Sequence, residues 1–232
     1  MARTLYDLAG AEDERRFSPN CWRAKMALAH KGLPFETVPW RFTEKEAIAF
    51  SSQGLVPVLV DGERVVTDSW AICQYLDSAY PDTPRLAEGP QAWAYAFFIK
   101  NWTERSLQGA LAPLLYLDIL AHAAPKDREY FRTSRESRVG TTLEAFAADK
   151  PGHLDKLRKV LEPLGAALAA QPFVAGSTPA LADYVVFGAF QWARCVSPLR
   201  LLEPDSPIAA WRGRMLALYG GLGGKSLGYP VT

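Results

Sequence analysis

The sequence predicts an α/β domain followed by an all-helical domain. Three observations predict this division: strand-like and helix-like segments alternate over the first eighty residues, a proline-rich stretch follows, and no strand-like segment lies beyond it. Residues 80–90 hold three prolines and a glycine, a composition typical of a linker. We therefore expect the α/β domain at residues 1–80, the linker at 81–90 and the helical domain at 91–232.

The first strand and the first helix have clear boundaries. Residues 4–8 form a short apolar strand, and a polar loop follows. Ser18 suits the N-cap of a helix and Pro19 its first position, where a missing N–H is not needed. Gly32 suits the residue after the helix, and Pro34 prevents its continuation.

The remaining elements of this half complete the order βαβ(α)ββα. Asp61-Gly62 lies between two apolar runs, which is a strong signal for a hairpin. The predicted elements are a strand at 35–38, a short helix at 43–50, strands at 56–60 and 63–67, and a helix from Ser69.

The second half shows only helical patterns. Residues 181–196 are apolar nearly all round, which indicates a helix buried in the middle of a bundle. The other predicted helices are 91–121, bent near Gly109 and Pro113; 127–147; one with Leu154, Leu157, Leu161, Leu164 and Leu168 at helical spacing; and 209–218.

Composition narrows the class of protein. The chain has 232 residues, 49% apolar and 22% charged, and a net charge of +1, which gives no electrostatic case for nucleic acid or an anionic membrane. It has no apolar run long enough to span a bilayer, no signal-peptide pattern, and three scattered cysteines. We expect a cytoplasmic protein. His30, His122 and His153 lack metal-ligand spacing and are expected at the surface, so no metal is predicted.

Ser18 stands where a helix begins, directly after the first strand and loop. Unpaired backbone N–H groups and the positive end of the helix dipole surround such a hydroxyl and favour an anion, here a thiolate. Taken alone, Ser18-Pro19 is only a good helix start.

Pro57 interrupts an otherwise apolar strand, and two interpretations are open. The strand lies at an edge of the sheet, or the proline is cis and turns the Val56 backbone outward. In the second case Val56 can pair with a peptide-like ligand through its N–H and C=O.

Asp68-Ser69 opens the helix after the hairpin. Either residue can cap that helix. Alternatively, Ser69 and the helix N-terminus bind a ligand carboxylate while Asp68 pairs with a ligand ammonium, and a γ-glutamyl group carries both charges.

Together, the Ser-Pro-x-x-Trp-Arg helix, the Val-Pro strand, the Asp-Gly hairpin and the Asp-Ser helix resemble the cytosolic glutathione transferases. Residues 175–183 are similar to the start of that family's buried core helix. The resemblance covers essentially the whole chain. It implies a thioredoxin-like first domain, an all-helical second domain, glutathione as co-substrate and a homodimer.

Residues 5–8, 18–22 and 126–132 resemble the β-etherase-related class of these transferases. This class includes bacterial enzymes that cleave lignin-derived β-aryl ethers and fungal proteins that bind or conjugate wood-derived aromatics. The resemblance implies an aromatic electrophile and suggests glutathione-dependent cleavage of β-aryl ethers.

The resemblance also assigns site residues. It implies that Ser18 activates the glutathione thiol, that Val56 binds the cysteinyl backbone, and that Gln53 or Arg41 reaches the glycyl carboxylate. The residues expected to contact glutathione are Asn20, Arg41, Gln53, Val56, Pro57, and, at the γ-glutamyl end, Asp68 and Ser69. The aromatics expected in the electrophile pocket between the domains are Trp40, Phe42, Trp102 and Tyr116.

Serine at position 18 favours one chemistry over another. Omega-type relatives carry a cysteine there and form mixed disulfides; a hydroxyl can only stabilise the glutathione thiolate. Cys21, one turn further on, is expected to be buried and inert.

Ala180 stands where the family has a Ser or Thr as the N-cap of the core helix, and Asp183 or Thr178 is expected to compensate for the missing cap.

Arg128, Arg132 and Arg135 share one helical face. Such a face is typically solvated, and a contact with an aromatic acid or a second subunit is the alternative.

Three other functions stay open. The first is a ligandin-type protein that binds aromatics with little catalysis. The second is a zeta-like cis–trans isomerase, a class that also uses Ser before a Trp-Arg helix, although its Ser-Ser-Cys run is missing here. The third, a structural thioredoxin-fold adaptor, leaves Ser18, Pro57 and Asp68-Ser69 unexplained.

Overall fold

The computed structural model describes residues 3–231 and contains one four-stranded mixed sheet within them. Its strands are β1 (Arg3–Leu8), β2 (Glu36–Trp40), β3 (Val58–Asp61) and β4 (Arg64–Thr67), in the order β2-β1-β3-β4. β1 pairs parallel with β2 and antiparallel with β3, and β3 and β4 form the predicted hairpin.

Two helices complete this half, α1 (Pro19–His30) and α2 (Ser69–Ala79), which pack against each other. Gly32, with φ of +65°, ends α1 as predicted, because its N–H bonds to Ala29 O and the next N–H to Leu28 O. The order of elements matches the predicted βαβ(α)ββα pattern and is the thioredoxin-like arrangement that the family resemblance implied.

Pro57 lies just before β3 rather than inside it. The Val56–Pro57 peptide is cis, and β3 lies between β1 and β4. The cis interpretation is therefore confirmed and the edge-strand interpretation is wrong. The edge strands are β2 and β4, and β2 tolerates Pro39 because one side of an edge strand needs no ladder donor.

The second half is helical. Its helices are α3 (Gly89–Trp102), α4 (Gln108–His122), α5 (Arg128–Val139), α6 (Leu143–Ala147), α7 (Lys150–Ala170), α8 (Leu181–Val196) and α9 (Pro207–Gly221). α8 has the predicted bounds and is buried on every side except at Arg194. It packs against α1, where Gly188 permits the close approach: a Cβ there would lie 2.3 Å from Pro19 O.

Two of the predicted long helices are interrupted. A π-helical turn, Thr103–Leu107, separates α3 from α4, so the irregularity precedes Gly109 and Pro113. Gly140, with φ of +74°, separates α5 from α6, because this left-handed conformation ends a helix. The short helix predicted at 43–50 is a 3-10 helix, Lys45–Ser51.

The segment between α2 and α3 is packed in place. Leu86 is buried; its N–H donates to Asp77 Oδ1 at 2.9 Å and its carbonyl accepts from Leu181 N–H at 2.9 Å. Asp77 also pairs with Lys31 at 2.9 Å. The end of α2 is thereby tied to the start of α8.

The start of α8 depends on Asp183, because Ala180 has no side-chain acceptor. The carboxylate accepts hydrogen bonds of 2.7–3.1 Å from the N–H groups of Val174, Ala175 and Ala180 and from Trp211 Nε1. Burial raises the pKa of Asp183, and these bonds oppose that rise. Compensation by Asp183 is confirmed.

No helix among residues 3–231 combines the length and the apolar character needed to cross a bilayer.

Candidate active site

A cleft of about 520 Å³ separates the two halves of the molecule. The sheet half contributes Leu8, Phe17, Ser18, Asn20, Trp40, Phe42 and Val56, and the helical half contributes Glu104, Gln108, Tyr116, Tyr130, Phe131, Ser134, Arg135, Arg138 and Trp192. A ligand in this cleft touches both domains, as ligand sites between domains commonly allow.

Ser18 occupies the cleft wall at the N-terminus of α1. Its Oγ accepts the Cys21 N–H at 3.2 Å, and only 6% of the residue is exposed. Pro19 has no N–H, and the Asn20 N–H has no hydrogen-bond partner within residues 3–231. The hydroxyl therefore lies at a helix start that is open toward the cleft and favours an anion.

Val56 faces the same cleft. Neither its N–H nor its C=O is hydrogen-bonded to any part of the chain that the structure describes, and Leu55 beside it is 64% exposed. The Val56 backbone is thus free to pair with an extended peptide.

Asp68 caps α2. Its Oδ1 accepts the Trp70 and Ala71 N–H groups at 2.9 and 3.0 Å, and Asp68 is exposed, with φ of +69°. Ser69 is buried, and its Oγ accepts Arg23 Nη1 at 3.0 Å. The capping interpretation of Asp68 is confirmed. Neither residue is part of the cleft wall itself.

A buried arginine connects the start of α2 to the cleft. Arg23 is 1% exposed and bonds to Ser69 through one nitrogen and to Glu104 Oε1, at 2.8 Å, through another. Glu104 also pairs with Lys100 at 2.7 Å. Sequence reasoning missed Arg23 and Glu104; the Trp-Arg pair of the α1 motif was the available signal for Arg23, and no local signal marks the π turn that holds Glu104.

Two polar atoms on opposite walls have no partner. Asn20 Oδ1 and Gln108 Nε2 are buried and unpaired, one an acceptor from the sheet half and the other a donor from the helical half. Because unsatisfied buried polar atoms are costly, these two atoms are positions in the cleft where a polar ligand can supply the missing hydrogen bonds. Asn20 was predicted here and Gln108 was not.

The structure does not bring every predicted residue to the cleft. Arg41 bonds to the carbonyls of Gly10 and Ala11 at 2.9 and 3.2 Å and pairs with Asp13, so the loop after β1 holds its guanidinium. Gln53 and Trp102 are also absent from the cleft wall; Trp102 packs against the hydrophobic core at the end of α3.

Three of the four predicted aromatics line the cleft: Trp40, Phe42 and Tyr116. Phe42 and Tyr116 lie 5.5 and 5.9 Å from the ring of Phe131, and Trp192 lies 6.4 Å from Tyr116. These rings form one aromatic wall, with tilted and edge contacts.

The cysteines are buried and free. Burial, with the charge of Asp7, raises the pKa of the Cys21 thiol, and burial raises the pKa of Cys73 to about 12. Both stay neutral at physiological pH, so the prediction that Cys21 is buried is confirmed, and Cys21 offers no thiolate.

His30, expected at the surface, is instead partly buried, with Nδ1 2.5 Å from the Tyr184 hydroxyl.

Comparisons with known proteins agree with this architecture. Models of the glutathione S-transferase N-terminal and C-terminal domains match residues 14–84 and 94–213. A zeta-class glutathione S-transferase of Euphorbia esula is 36% identical over 110 residues, 45% of this chain and 47% of that protein. Glutathione transferase omega-1 of Caenorhabditis elegans is 32% identical over 180 residues, 76% of this chain and 60% of that protein. The chain thus spans less than two thirds of the length of these relatives.

The fold is also that of solved transferases. The crystal structure of a Ceriporiopsis subvermispora glutathione S-transferase in complex with glutathione superposes with a TM-score of 0.79 and 24% identity, over 94% of this chain and 96% of that one. With both domain models matched in order along the chain, the protein belongs to the glutathione S-transferase family.

Proposed function

We propose that this protein is a glutathione transferase in which the Ser18 hydroxyl donates a hydrogen bond to the glutathione sulfur and holds it as the thiolate. The observation that carries the proposal is the position of Ser18 on the cleft wall, at the open N-terminus of α1. A hydroxyl donor and the helix dipole both stabilise the anionic form of a thiol and lower its pKa.

The first two proposed glutathione contacts use the unpaired groups of the cleft. The cysteinyl residue pairs with the Val56 backbone, and Asn20 accepts a donor from the tripeptide. The γ-glutamyl carboxylate lies at the N-terminus of α2 beside Ser69, with Asp68 against its ammonium. Gln53 is the proposed partner of the glycyl carboxylate, because the loop carbonyls already hold Arg41.

The proposed reaction is nucleophilic substitution on an aromatic substrate. The thiolate sulfur forms a bond to the electrophilic carbon, the bond from that carbon to the leaving group breaks, and the leaving group departs with the electron pair. The thiol proton passes to solvent. In the β-etherase form of the proposal, which the class resemblance supports, the leaving group is a phenolate on the β-carbon. The protein contributes a thiolate at neutral pH and alignment of the two reactants.

Two other functions have support. The zeta-class relative, 36% identical, favours a glutathione-dependent cis–trans isomerase. The aromatic wall of the cleft, with Phe42, Tyr116 and Trp192, favours a ligandin-type protein that binds aromatics and turns them over slowly.

We also propose that two copies of the chain associate. An apolar surface spans α2 and α3, with Trp70 5.3 Å from Trp93 and 5.5 Å from Phe97. Phe97 and Phe98 are 50% and 67% exposed. An exposed patch that crosses both domains is typical of a subunit interface.

We propose that the protein is cytoplasmic, since its three free cysteines suit a reducing compartment.

Product formation and glutathione consumption test the function. With chlorodinitrobenzene and a β-aryl ether as electrophiles, we expect Ser18→Ala to lower kcat/KM by about 100-fold, the effect of losing a donor to a developing anion. Ser206→Ala is the matched control, because Ser206 caps α9 through the Ala209 N–H at 3.1 Å and lies outside the cleft.

Each alternative has its own result. Isomerisation of a maleyl-type substrate without net loss of glutathione supports the zeta-like function. Tight binding of aromatics that Ser18→Ala leaves unchanged, without turnover, supports the ligandin function. Equal activity in wild type and Ser18→Ala contradicts the proposed role of Ser18.

A further inference from the structure

Arg135 lies in the cleft without a counterion. Its guanidinium carbon is 4.8 Å from the Phe131 ring centre and 5.5 Å from that of Phe42, and Nη1 donates to Ser134 Oγ at 3.0 Å. No carboxylate of residues 3–231 lies within 4.0 Å of it. The two rings hold the cation in position and leave much of its donor capacity unused.

Its neighbour on α5 is arranged differently. Arg132 pairs with Glu136 at 2.9 Å and with Glu144 at 2.8 Å, away from the cleft. Arg138 lines the cleft with Arg135, and no ion pair to it occurs in the described part of the chain. Burial, followed by the charge of Arg138, lowers the pKa of Arg135, so the two cations stand close enough to repel.

The acid in the cleft does not neutralise these charges. Glu104 is already paired with Arg23 and Lys100. Among the described residues that line the cleft, Glu104 is the only carboxylate. The aromatic wall therefore carries an uncompensated positive charge.

We propose that the aromatic substrate carries a carboxylate, which Arg135 binds with Arg138 while the ring packs against Phe42 and Tyr116. The electrophile site is that of the proposed function, on which this inference rests. A planar guanidinium donates two parallel hydrogen bonds to a carboxylate, so Arg135 would fix the orientation of the ring as well as its charge.

A matched pair of ligands separates the effect of the ligand's charge on binding from the effect of its shape. Binding of dinitrobenzoate and of the isosteric neutral dinitrobenzamide is measured with glutathione present, and turnover is measured with the corresponding chlorodinitrobenzoate and chlorodinitrobenzamide. The proteins are wild type, Arg135→Met, Arg135→Lys and the control Arg132→Met, whose side chain lies outside the cleft. Thermal unfolding verifies that each variant is folded.

We expect Arg135→Met to weaken benzoate binding and lower kcat/KM for the benzoate by about 10- to 100-fold, the range for losing a charge-assisted hydrogen bond. The benzamide should change by less than about threefold, and Arg135→Lys should retain part of the benzoate preference. Arg132→Met should behave as wild type.

The results distinguish failure of the carboxylate assignment from failure of the proposed transferase function. Equal loss for benzoate and benzamide, or a loss of glutathione affinity alone, overturns the carboxylate assignment. Wild-type preference for the benzamide overturns it as well. Benzoate binding that depends on Arg135 without turnover of either chloro compound supports the assignment and contradicts the proposed transferase function instead.

Discussion

Helices α1 and α8 pack against each other, and their N-terminal starts are capped in different ways. At α8, the buried Asp183 carboxylate accepts four hydrogen bonds, from Val174, Ala175, Ala180 and Trp211. At α1, the Ser18 hydroxyl accepts one, from Cys21, and the Asn20 N–H has no partner within residues 3–231.

The α8 start contributes to the stability of the fold, whereas the α1 start is available for function. The α8 start is closed, since its first three residues are buried, its Leu181 N–H donates to Leu86 O, and its Asp183 carboxylate ties it to the preceding loop. This start fixes the buried helix on which the helical half packs. The α1 start is open toward the cleft, so its dipole and hydroxyl remain available to a ligand. The helix start that opens onto the cleft is the one that can bind an anion there.

The largest expected effect is on the closed start. Asp183→Ala leaves four donors, two of them buried, without an acceptor and should lower the free energy of unfolding by about 3–5 kcal/mol. Chemical denaturation measures this loss. The control Asp155→Ala removes an exposed carboxylate that, within residues 3–231, pairs only with Arg158, and it should change stability by less than about 0.5 kcal/mol. Equal effects of the two substitutions would show that the Asp183 bonds contribute little.

Replacing Ser18 by cysteine tests whether the open start of α1 stabilises an anion. Ser18→Cys should ionise below the usual cysteine pKa of about 8.5, because of its position at the helix N-terminus. At neutral pH it should be alkylated about 100-fold faster than the buried native cysteines and should form a mixed disulfide with oxidised glutathione, releasing one glutathione. Mass spectrometry of alkylated peptides identifies the site. Comparable alkylation of Cys21 would contradict this contrast.

The contact between the two helices joins the start of α1 to Gly188, two turns into α8. In Gly188→Ala the added Cβ meets Pro19 O at 2.3 Å, so the start of α1 must shift. We expect a loss of about 1–3 kcal/mol in stability and lower conjugation activity. The control Gly213→Ala has open space around its Cβ and should be neutral or stabilising by up to about 1 kcal/mol. Full activity in a folded Gly188→Ala protein would separate the position of Ser18 from this contact.

The smallest expected effect is the loss of a cap. Ser18→Ala and Ser206→Ala each remove one hydroxyl that accepts a backbone N–H, at 3.2 and 3.1 Å, and each should cost about 1 kcal/mol of stability. Only Ser18→Ala should also lose activity. A much larger destabilisation by Ser18→Ala would mean that its hydroxyl is chiefly structural.

Local signals explain what the sequence could predict. The all-round apolar pattern of residues 181–196 matches the bounds of α8, and Ser18-Pro19 with Gly32 marks both ends of α1. These features depend on neighbours in the chain and on periodicity. The assignment of Asp183 as compensation for Ala180 followed from the same local reasoning.

The features that the sequence did not predict depend on contacts between residues that are far apart along the chain. Arg23 reaches Ser69 and Glu104, which are 46 and 81 residues away along the chain. Arg41 is captured by carbonyls about 30 residues earlier, which removes it from the cleft. The orientation of a long side chain is set by tertiary packing, and spacing along one helix did not distinguish Arg135, in the cleft, from Arg132, outside it.

Above all, we propose that the open start of α1 holds glutathione as a thiolate through Ser18. The most direct test of this proposal is the thiolate absorbance of bound glutathione against pH, in wild type, Ser18→Ala and Ser206→Ala. We predict a bound-thiol pKa at least about one unit below the ordinary value near 8.5 in wild type and Ser206→Ala, and no such shift in Ser18→Ala. The same pKa with and without Ser18, or binding of glutathione without any shift, would contradict the account.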